Sequence, residues 1–463
     1  MKILLVKPHN LSDHIQPSLG LGYLATACRD KGHDVSMLDC IKENLRVDYL
    51  VERIEDLKPD MIGIQCYTFD IKFVKDILGR CKDINPDVVT VIGGPHPSAV
   101  PNETFEYFGS SLDFLFVGEA EKPLQSLLEK LEGRSEIDLS EIGGLAWRDN
   151  GDIRVNPQVF TEDLDSLGMP SWDLIGPETY PEAQHGAFFK KFPIAPLMFT
   201  RGCPYPCTFC AGSIVSGKRI RKHSVDFMID EIKYLYDIHG IREFHVIDDN
   251  FTLDREYAKA FLRRLIDLKL DISWATPNGV RLDALDGELL DLMKASGLYL
   301  ISLGIESGSD RVLKLMKKQT SVDKIKKGIE LIRSKDIDIA GFFIVGFPGE
   351  SVKEIKDTIR FSLDLDLIRA NYFTYLPFPG SASYKELEQG GRLDNVDWDR
   401  FYFMNASYVP DGMTRDDLKA LQRSAFFKFY FRPRIFWKNI TGVKSFRHFK
   451  FLSKRFFHWI VMR

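Results

Sequence analysis

The segment TRGCPYPCTFCAG, residues 200–212, places Cys203, Cys207 and Cys210 within eight residues. Thiolates are ligands of both structural zinc and iron–sulfur clusters. A closed zinc site takes four ligands, and the nearest histidine, His223, lies at an unsuitable spacing. In a 4Fe-4S cluster every iron takes an external ligand, so three thiolates leave one iron open to a bidentate substrate. The spacing therefore favours a cluster over zinc or a chance group of buried cysteines.

The position of these cysteines in the chain also favours a site. They follow the predicted strand APLMFT, residues 195–200, so we expect them on a loop at the carboxyl end of a βα unit. Pro204 and Pro206 disfavour a helix and leave the thiolates free to converge. The other four cysteines stand among apolar neighbours and are predicted to be ordinary buried thiols: Cys28, Cys40, Cys66 and Cys81.

The spacing C-x3-C-x2-C, with Phe209 before the last cysteine, resembles that of the radical S-adenosylmethionine (SAM) enzymes. The resemblance implies that the amino and carboxylate groups of SAM chelate the open iron. It also implies one-electron cleavage of SAM to a 5′-deoxyadenosyl radical, with an electron donor such as a flavodoxin or ferredoxin. A sulfonium is hard to reduce in water, so this chemistry requires a dry barrel interior and contact with the cluster.

Other strand ends resemble the SAM contacts of that family. Asp248 or Asp249, in IDDNF, is placed to meet the methionine amino group, and Arg281 is a candidate for the carboxylate. Glu306 with Ser307, in LGIESGSD, resembles the ribose-binding position. Such residues are also common in ordinary turns, which remains the alternative at each position.

Two further strand ends are predicted to lie near the adenine. Gly346 and Pro348, in GFFIVGFPGES, would form a tight turn there. This stretch departs from the family pattern G-x-I-x-G-x-x-E, because Phe342 stands at the first glycine and the acidic residue comes one place late. Pro377, in YLPFPGS, resembles part of the segment whose backbone pairs with adenine.

These loops need a scaffold, and residues 191–390 carry alternating β-rich and helical patterns that supply one. Six strands are predicted: 195–200, 243–248, 272–277, 299–306, 340–346 and 370–377. Six strand–helix pairs fall short of the eight in a closed barrel. We therefore predict a partial (β/α)6 barrel, whose lateral gap would suit a bulky substrate.

The first 135 residues show the same alternation. Five strands are predicted: 2–6, 34–38, 61–65, 88–94 and 114–118. Such alternation predicts a doubly wound parallel sheet of flavodoxin-like type, with ligands at the carboxyl ends of its strands. Residues 136–190 are predicted to be a linker, in which AWRDNGDIRV forms a hairpin turning at Asn150–Gly151.

A doubly wound domain before such a barrel is similar to the cobalamin-dependent radical SAM enzymes. The resemblance is carried by PSLGLGYLATACRDKGHDVSMLD, IGGPHPSAVP and FVGEAEKPL, and it covers residues 1 to about 390. It implies a loop facing the corrin at Pro17 and Gly20, and Thr68 is another candidate contact. The Gly93–Gly94 turn would let the ligand approach the backbone closely.

One feature of some cobalamin proteins is missing. The pattern D-x-H-x-x-G, which supplies a histidine to cobalt, is reproduced neither by Asp13–His14 nor by Pro95–His96–Pro97. Many members of the subfamily lack it too, so its loss leaves only the lower axial position of cobalt open. The alternative is a degenerate domain that binds no cofactor and acts as a spacer.

Residues 391–463 are predicted to form a mainly helical extension with an unusual composition. From Phe426 to Arg463 there are ten Lys or Arg residues, many aromatic residues and no acidic residue. This favours a helix lying on anionic lipid, with its aromatic side chains inward. The alternative is a basic tail on the acidic remainder of the chain, and RNA binding would not need so many aromatic residues.

Composition and length limit the classes of protein to which the chain can belong. The chain has 463 residues, 44% hydrophobic and 28% charged, which predicts a globular protein of two or three domains. Its net charge of −4 argues against nucleic acid as a partner. The apolar start MKILLV is too short for a signal peptide, and no run long enough for a transmembrane helix occurs. Seven cysteines fit a reducing cytoplasm, with the inner face of the membrane as a second location.

The leading hypothesis is a radical SAM enzyme that abstracts hydrogen from an unactivated carbon and transfers a methyl group from cobalamin. The substrate is predicted to be a bulky hydrophobic small molecule, such as a lipid, isoprenoid or tetrapyrrole. Two alternatives remain. The layout is also similar to the anaerobic magnesium-protoporphyrin ester cyclases, which implies oxidative cyclisation, and a non-catalytic cobalamin or iron–sulfur sensor is a third interpretation.

Overall fold

A computed structural model of the chain describes residues 1–9, 15–182 and 189–461. Two compact units are present. The first comprises Met1–Tyr180, Arg201–Pro204 and Ala211–His223. The second comprises Pro181–Thr200, Tyr205–Cys210 and Ser224–Arg463. The chain therefore passes from one unit to the other within the three-cysteine segment.

The first unit is built on a seven-stranded sheet. Its strands are β1 Lys2–Lys7, β2 Asp34–Asp39, β3 Met61–Gln65, β4 Val89–Gly93, β5 Phe114–Phe116, β6 Leu145–Asp149 and β7 Asp152–Val155. The order β2-β1-β3-β4-β5 is parallel and is that of flavodoxin-like folds, which confirms the predicted doubly wound sheet. Buried Val, Ile and Leu residues cover both faces, as parallel strands require.

Seven helices accompany this sheet. They are α1 Leu19–Arg29, α2 Val47–Leu57, α3 Ile71–Ile84, α4 Pro95–Ala99, α5 Pro101–Phe108, α6 Glu121–Leu131 and α7 Trp172–Ile175. The predicted hairpin is present, with Asn150 at φ +49°, but it does not belong to an irregular connection. Strand β6 pairs antiparallel with β5, so residues 145–155 extend the sheet. The sheet thus continues into the region predicted as a linker.

The second unit holds an open six-stranded parallel sheet in the order β15-β14-β13-β12-β11-β8. Its strands are β8 Ile194–Leu197, β11 Glu243–Val246, β12 Ser273–Val280, β13 Leu298–Glu306, β14 Asp338–Val345 and β15 Arg369–Thr374. All neighbours are parallel, which confirms the predicted partial barrel. Two short strands, β9 Thr200–Arg201 and β10 Arg221–Lys222, form a separate pair.

Helices follow these strands as the apolar spacing predicts. They are α9 Val225–Ile238, α10 Arg255–Asp267, α11 Gly287–Ala295, α12 Asp310–Leu315, α13 Val322–Ser334, α14 Val352–Asp364 and α15 Ala382–Gln389. A short helix that follows the cysteines, α8 Gly212–Ser216, belongs to the first unit. The C-terminal extension adds α16 Arg415–Tyr430, α17 Pro433–Thr441 and α18 Phe446–Val461. Among the described helices, none is long and apolar enough to cross a membrane.

Helix α16 lies along the outer edge of β15. The Gln422 side-chain amide donates to the Tyr372 carbonyl at 2.7 Å, and the Tyr430 hydroxyl donates to the Ala370 carbonyl at 3.0 Å. The Thr374 amide donates to the Phe403 carbonyl at 2.9 Å. Backbone groups of this edge strand are therefore satisfied by the extension.

Candidate functional site

Thr208 fixes the segment that carries Cys207 and Cys210. Its amide donates to the carbonyl of Met316, at the end of α12, at 3.0 Å. Its own carbonyl accepts from both the amide and the hydroxyl of Ser383, at the start of α15, each at 2.9 Å. Thr208 is buried, whereas Cys207 is half-buried and Cys210 is exposed. The two thiols thus stand on a backbone held by two helices.

Two cations flank this segment. The guanidinium of Arg281 lies over the Tyr205 ring at 3.6 Å, and the ammonium of Lys318 lies 5.7 Å from the Phe209 ring. Burial by itself lowers the pKa of Lys318, but the Glu306 carboxylate and the Cys207 sulfur outweigh it and raise the pKa. Cations beside a loop of cysteines offset the negative charge that metal-bound sulfur carries. The donor set therefore fits an iron–sulfur cluster.

The arm before Cys203 lies in the first unit. Gly202 has a φ of +101°, and a Cβ there would lie 2.2 Å from the Arg219 carbonyl oxygen, so only glycine fits. The next amide, of Cys203, donates to the Gly217 carbonyl at 3.1 Å. This arm therefore passes very close to the backbone that follows the cysteines.

Buried carboxylates hold the residues on both sides of that arm. Arg201 pairs with Glu121 at 2.8 Å, and Arg221 pairs with Glu119 at 2.7 Å. All four side chains are buried. Both acids stand in FVGEAEKPL, but the sequence shows no sign of their partners, so this network was not predicted.

His223, the remaining zinc candidate, has other partners in the first unit. Its Nδ1 lies 2.9 Å from the Asp165 carboxylate, and its Nε2 lies 3.3 Å from the Tyr23 hydroxyl. Burial lowers its pKa to about 4. Among the described residues, no three His, Cys, Asp or Glu side chains are grouped as ligands of a single metal ion.

Asp248 contacts the backbone at the end of β8. Its carboxylate accepts from the amides of Phe199 and Thr200 at 2.8 Å, and from the Thr200 hydroxyl at 2.7 Å. Burial outweighs these donors and raises its pKa to about 7. Asp248 therefore positions the strand that leads to the cysteines, while Asp249 is exposed. The predicted contact of either residue with the methionine amino group stays a prediction.

Asn250, two residues further on, was not singled out from the sequence. It is buried, and neither atom of its side-chain amide has a hydrogen-bond partner among the described residues. An unpaired buried amide is costly, so a polar ligand or water would stabilise it. The end of β11 therefore has unsatisfied polar groups, which fits a bound polar cofactor.

Glu306 ends β13 with a φ of +63°, which is strained for a non-glycine residue. Its carboxylate accepts from Lys318 at 2.7 Å, directly over Gly304, where a Cβ would lie 2.5 Å from the carboxylate oxygen. Ser307 is buried, and its hydroxyl lies 3.1 Å from that of Thr358 in α14. The turn places Glu306 beside the cation near Cys207 and leaves Ser307 bonded to protein.

Arg281, proposed for the SAM carboxylate, has protein partners of its own. Its Nε and Nη2 donate to the Asp283 carboxylate at 2.9 Å, and it also donates to the Lys318 carbonyl at 3.2 Å. Burial by itself lowers its pKa, but Asp283 outweighs burial and raises it. The positive charge of Arg281 is therefore partly neutralised by the Asp283 carboxylate.

The predicted turn at Gly346 is present, at a φ of +79°. Its amide and that of Phe347 donate to Glu350 Oε2 at 2.7 and 3.1 Å, so the late acidic residue holds the turn. Oε1 of Glu350 is buried without a partner among the described residues. Pro377, in the loop that follows β15, is buried. Contact of either turn with adenine stays a prediction.

The predicted cobalamin contacts include one conformationally demanding glycine. Gly94 has a φ of +111°, and a Cβ there would lie 3.0 Å from the Cys66 carbonyl oxygen. The Thr68 hydroxyl lies 3.2 Å from Nδ1 of His96, whose pKa burial lowers to about 4. Thr68 and the turn after β4 are thus brought together.

Open space adjoins two other predicted cobalamin contacts. A Cβ at Gly93 or at Gly20, in the first turn of α1, would meet no atom within 4 Å. Pro17 is buried and Gly20 is exposed, while Asp13–His14 lies outside the described residues. Room beside the backbone at two such positions fits a large ligand.

The other four cysteines are buried, as predicted. Burial raises the pKa of the thiols of Cys28, Cys40 and Cys81 to about 12, and it raises the pKa of Cys66 well above its ordinary value. Thiols of this kind stay protonated and do not bind metal at neutral pH.

Comparison with known proteins agrees with both units. Residues 197–362 match the radical SAM superfamily, and residues 12–128 match the B12 binding domain. The chain is 31% identical to a protein described as an uncharacterised methyltransferase from Pyrococcus horikoshii, over 98% of this chain and 97% of the relative. The chain belongs to the cobalamin-dependent radical SAM family.

Other members of the cobalamin-dependent radical SAM family show its range. The chain is 31% identical to cytidylyl-2-hydroxyethylphosphonate methyltransferase from Streptomyces wedmorensis, over 85% of this chain and 83% of that protein. It is 28% identical to anaerobic magnesium-protoporphyrin IX monomethyl ester cyclase from Rubrivivax gelatinosus, over 93% and 77%. The solved structure of the cobalamin-dependent SAM radical enzyme OxsB shares the fold, with a TM-score of 0.76 and 17% identity, over 100% of this chain and 71% of OxsB.

As a cobalamin-dependent radical SAM enzyme, the protein uses a 4Fe-4S cluster, SAM and cobalamin. The prediction of these three cofactors is therefore confirmed. The cationic surroundings of Cys207, the unpaired Asn250 amide and the space beside Gly93 each fit one of them. Which side chains touch each cofactor stays a prediction.

Proposed function

We propose that this enzyme transfers a methyl group from cobalamin to an unactivated carbon of a bulky hydrophobic small molecule. The cluster and SAM supply one-electron chemistry for hydrogen abstraction when bound, and cobalamin supplies the methyl group. The observation that carries the proposal is the cysteine segment, which Thr208 anchors to two helices between the cations Arg281 and Lys318. The match to a methyltransferase over nearly the whole chain supports methyl transfer as the outcome.

The residues of the chain have distinct roles in this proposal. Cys203, Cys207 and Cys210 hold the cluster, and the ammonium of Lys318 places a positive charge beside the segment that carries Cys207 and Cys210. Glu306 keeps that ammonium in place at 2.7 Å. Asp248 positions the backbone that leads from β8 to the cysteines, because its carboxylate accepts from the amides of Phe199 and Thr200.

An aromatic wall within the second unit supports a hydrophobic substrate. Phe343 and Tyr372 stack against each other, and Tyr372 also contacts Phe429 of α16, so these side chains face the helices. Since side chains alternate along a strand, Phe342 and Phe373 face the opposite side of the sheet. Their rings lie 6.0 Å apart, and Phe373 lies 5.2 Å from Phe403.

The rings of Phe342, Phe373 and Phe403 are only half-buried, so they present apolar surface on the side of the sheet that faces away from the helices. Apolar walls with a few polar groups are typical of small-molecule sites. Phe342 stands where the family pattern has glycine, so this part of the wall is a departure of this chain. We propose that Phe342 and Phe373 contact the substrate.

The experiment is an anaerobic incubation of reconstituted enzyme with SAM, dithionite and fractionated hydrophobic extracts. Methyl transfer predicts 5′-deoxyadenosine, S-adenosylhomocysteine and a product heavier by one methylene. Cyclisation would give 5′-deoxyadenosine without S-adenosylhomocysteine. Formation of neither nucleoside would contradict the radical chemistry, and a product arising only from polar fractions would contradict the hydrophobic substrate.

We further propose that the enzyme works in the cytoplasm with a small electron donor such as a flavodoxin or ferredoxin. None of the seven cysteines, all of which lie in the described ranges, forms a disulfide, and this supports a reducing compartment. Turnover with reduced flavodoxin or ferredoxin in place of dithionite tests the donor, and absence of 5′-deoxyadenosine with either would contradict it.

A further inference from the structure

Large apolar side chains are exposed along the C-terminal extension. We call this set the outer aromatic face: Phe427, Phe431, Phe436, Trp437, Ile440, Phe446 and Phe449. Phe446 is 82% exposed, Trp437 63% and Phe431 59%. Rings contact one another from Phe427 through Phe431 and Phe436 to Trp437, and again from Phe446 to Phe449. Contiguous exposed apolar surface of this kind marks an interaction site.

The contacts of helix α17 with the rest of the protein leave its aromatic residues exposed. Its cations face the sheet side, where Lys438 pairs with Asp338 at 2.7 Å and Arg434 pairs with Asp366 at 2.7 Å. Phe436 and Trp437 are exposed on the same helix. A surface helix normally buries its apolar side and exposes its charges. In α17 the buried Ile435 and two partly exposed ion pairs attach the helix to the protein, while Phe436 and Trp437 are exposed to solvent.

The outer aromatic face is surrounded by cations that have no ion pair among the described residues. Lys428 adjoins Phe427, Lys444 precedes α18, and Arg447 and Lys450 stand beside Phe446 and Phe449; all four cations are exposed. No acidic residue occurs from Phe426 to the C-terminus. Any partner must therefore combine an apolar interior with a negatively charged rim.

Within the second unit, the outer aromatic face lies at the opposite end of the barrel strands from Cys207 and Cys210. Asp338 begins β14, and Asp366 precedes β15, so α17 is held at the amino ends of the strands. Helix α18 is held there too, because Ser445 donates to Glu182 at 2.6 Å and His448 lies 5.0 Å from Phe189, both before β8. A partner on this face leaves the carboxyl ends of the strands unobstructed.

We propose that the outer aromatic face docks on an anionic lipid bilayer surface. Aromatic side chains enter the boundary between headgroups and acyl chains, and the flanking lysines and arginines meet the lipid phosphates. Lipid is favoured over a second copy of this chain, because two such cationic rims would repel each other. This docking goes beyond the proposed methyl transfer and does not depend on it.

The test is flotation of the full-length protein with vesicles of phosphatidylcholine alone and of phosphatidylcholine with phosphatidylglycerol. Binding to the anionic vesicles, weakened by salt, is expected. The triple variant Lys428→Glu/Lys444→Glu/Lys450→Glu should bind on the order of 100-fold more weakly, since each surface cation contributes several-fold. The matched control, Lys324→Glu/Lys353→Glu/Lys356→Glu, changes three exposed lysines on α13 and α14 and should bind normally.

A second measurement reports insertion directly. Brominated acyl chains should quench tryptophan fluorescence of the wild type, and the quenched share should fall in Trp437→Phe while flotation persists. Phe431→Ser/Phe436→Ser/Trp437→Ser should abolish flotation, with Tyr49→Ser, another exposed aromatic position, as control. Each variant should keep its soluble rate of 5′-deoxyadenosine formation, which shows that it is folded.

Three results would overturn the proposal. The wild type could remain unbound with anionic vesicles, or the two lysine triples could bind alike. A concentration-dependent dimer that the serine variant loses would instead assign this face to a second copy of the chain.

Discussion

Glu119 and Arg221 form a two-pronged ion pair, in which each of two guanidinium nitrogens donates to a separate carboxylate oxygen at 2.7 Å. Arg221 follows the three cysteines, and Arg201, which pairs with the nearby Glu121, precedes them. The residues on both sides of the cysteines are thus tied to two acids at the start of α6. Glu119 and Glu121 position the cysteine segment, but they are not ligands of the cluster.

Glu119→Gln should strongly destabilise the protein. Removing one partner of a buried pair leaves the Arg221 charge uncompensated, which costs about 3–5 kcal/mol in the free energy of unfolding. Urea unfolding measures this loss, and the iron content after reconstitution should fall with it. Glu162→Gln is the matched control, because Glu162 pairs with Arg219 at 3.1 Å on the surface and should cost less than about 1 kcal/mol. Equal losses in both variants would refute the role of Glu119.

Alanine at Cys203, Cys207 or Cys210 should abolish the absorbance of the iron–sulfur cluster and the formation of 5′-deoxyadenosine. Cys81→Ala is the control, because burial raises the pKa of that thiol to about 12 and keeps it protonated. Iron analysis and visible spectra measure the cluster content of each variant. A full cluster in any of the three loop variants, or a lost cluster in Cys81→Ala, would contradict the assignment.

Gly304→Ala should weaken the binding of SAM. The new Cβ would lie 2.5 Å from the Glu306 carboxylate and 2.7 Å from the Lys318 ammonium, so this ion pair must move. We expect KM for SAM to rise roughly 10-fold, equivalent to about 1.4 kcal/mol of binding. Gly287→Ala serves as control, since its Cβ meets nothing within 4 Å. An unchanged KM in Gly304→Ala would separate Glu306 from SAM binding.

Glu350 should make stability fall as the pH rises. Burial raises its pKa to about 8 in the folded state, because desolvation outweighs the two amides that donate to it. The unfolded chain ionises this carboxyl near an ordinary pKa of about 4.3. Between these values only the folded state keeps the proton. The free energy of unfolding therefore decreases by about 1.4 kcal/mol per pH unit in that window.

Glu350→Gln keeps the shape of the side chain but cannot ionise. This variant should therefore lack the decrease in the free energy of unfolding that Glu350 causes as the pH rises. Urea unfolding of both proteins across the window gives the comparison, and the difference between them isolates Glu350 from Asp248, whose pKa is also raised. Parallel pH profiles of the two proteins would contradict a buried, protonated Glu350.

The strands were predictable to within a few residues, because runs of β-branched and apolar residues end at Gly, Pro or Asp. The predicted strand 61–65 is β3 to the residue, and 243–248 stops early at Val246. The turn to Asp248, which bonds back to β8, accounts for that early end. Local patterns thus locate elements well but do not show which side chain bonds across to another element.

The candidate site was predictable in its cysteines and strand ends, but not in what supports them. Ser383 bonds to Thr208 across 175 positions, and Arg221 to Glu119 across 102. No periodicity encodes such pairings, since each depends on how distant elements meet. Even the shorter link from Lys318 to Glu306 depends on the strained turn after β13.

The cover that α16 gives to β15 bears on how this enzyme can be shortened for study. A version ending near residue 390 would retain all six barrel strands yet expose the carbonyls of Ala370 and Tyr372, which Tyr430 and Gln422 now satisfy. A bare strand of that kind recruits strands from other molecules. Truncation there should yield aggregates rather than a minimal catalytic barrel, so the extension protects the exposed edge of the barrel sheet.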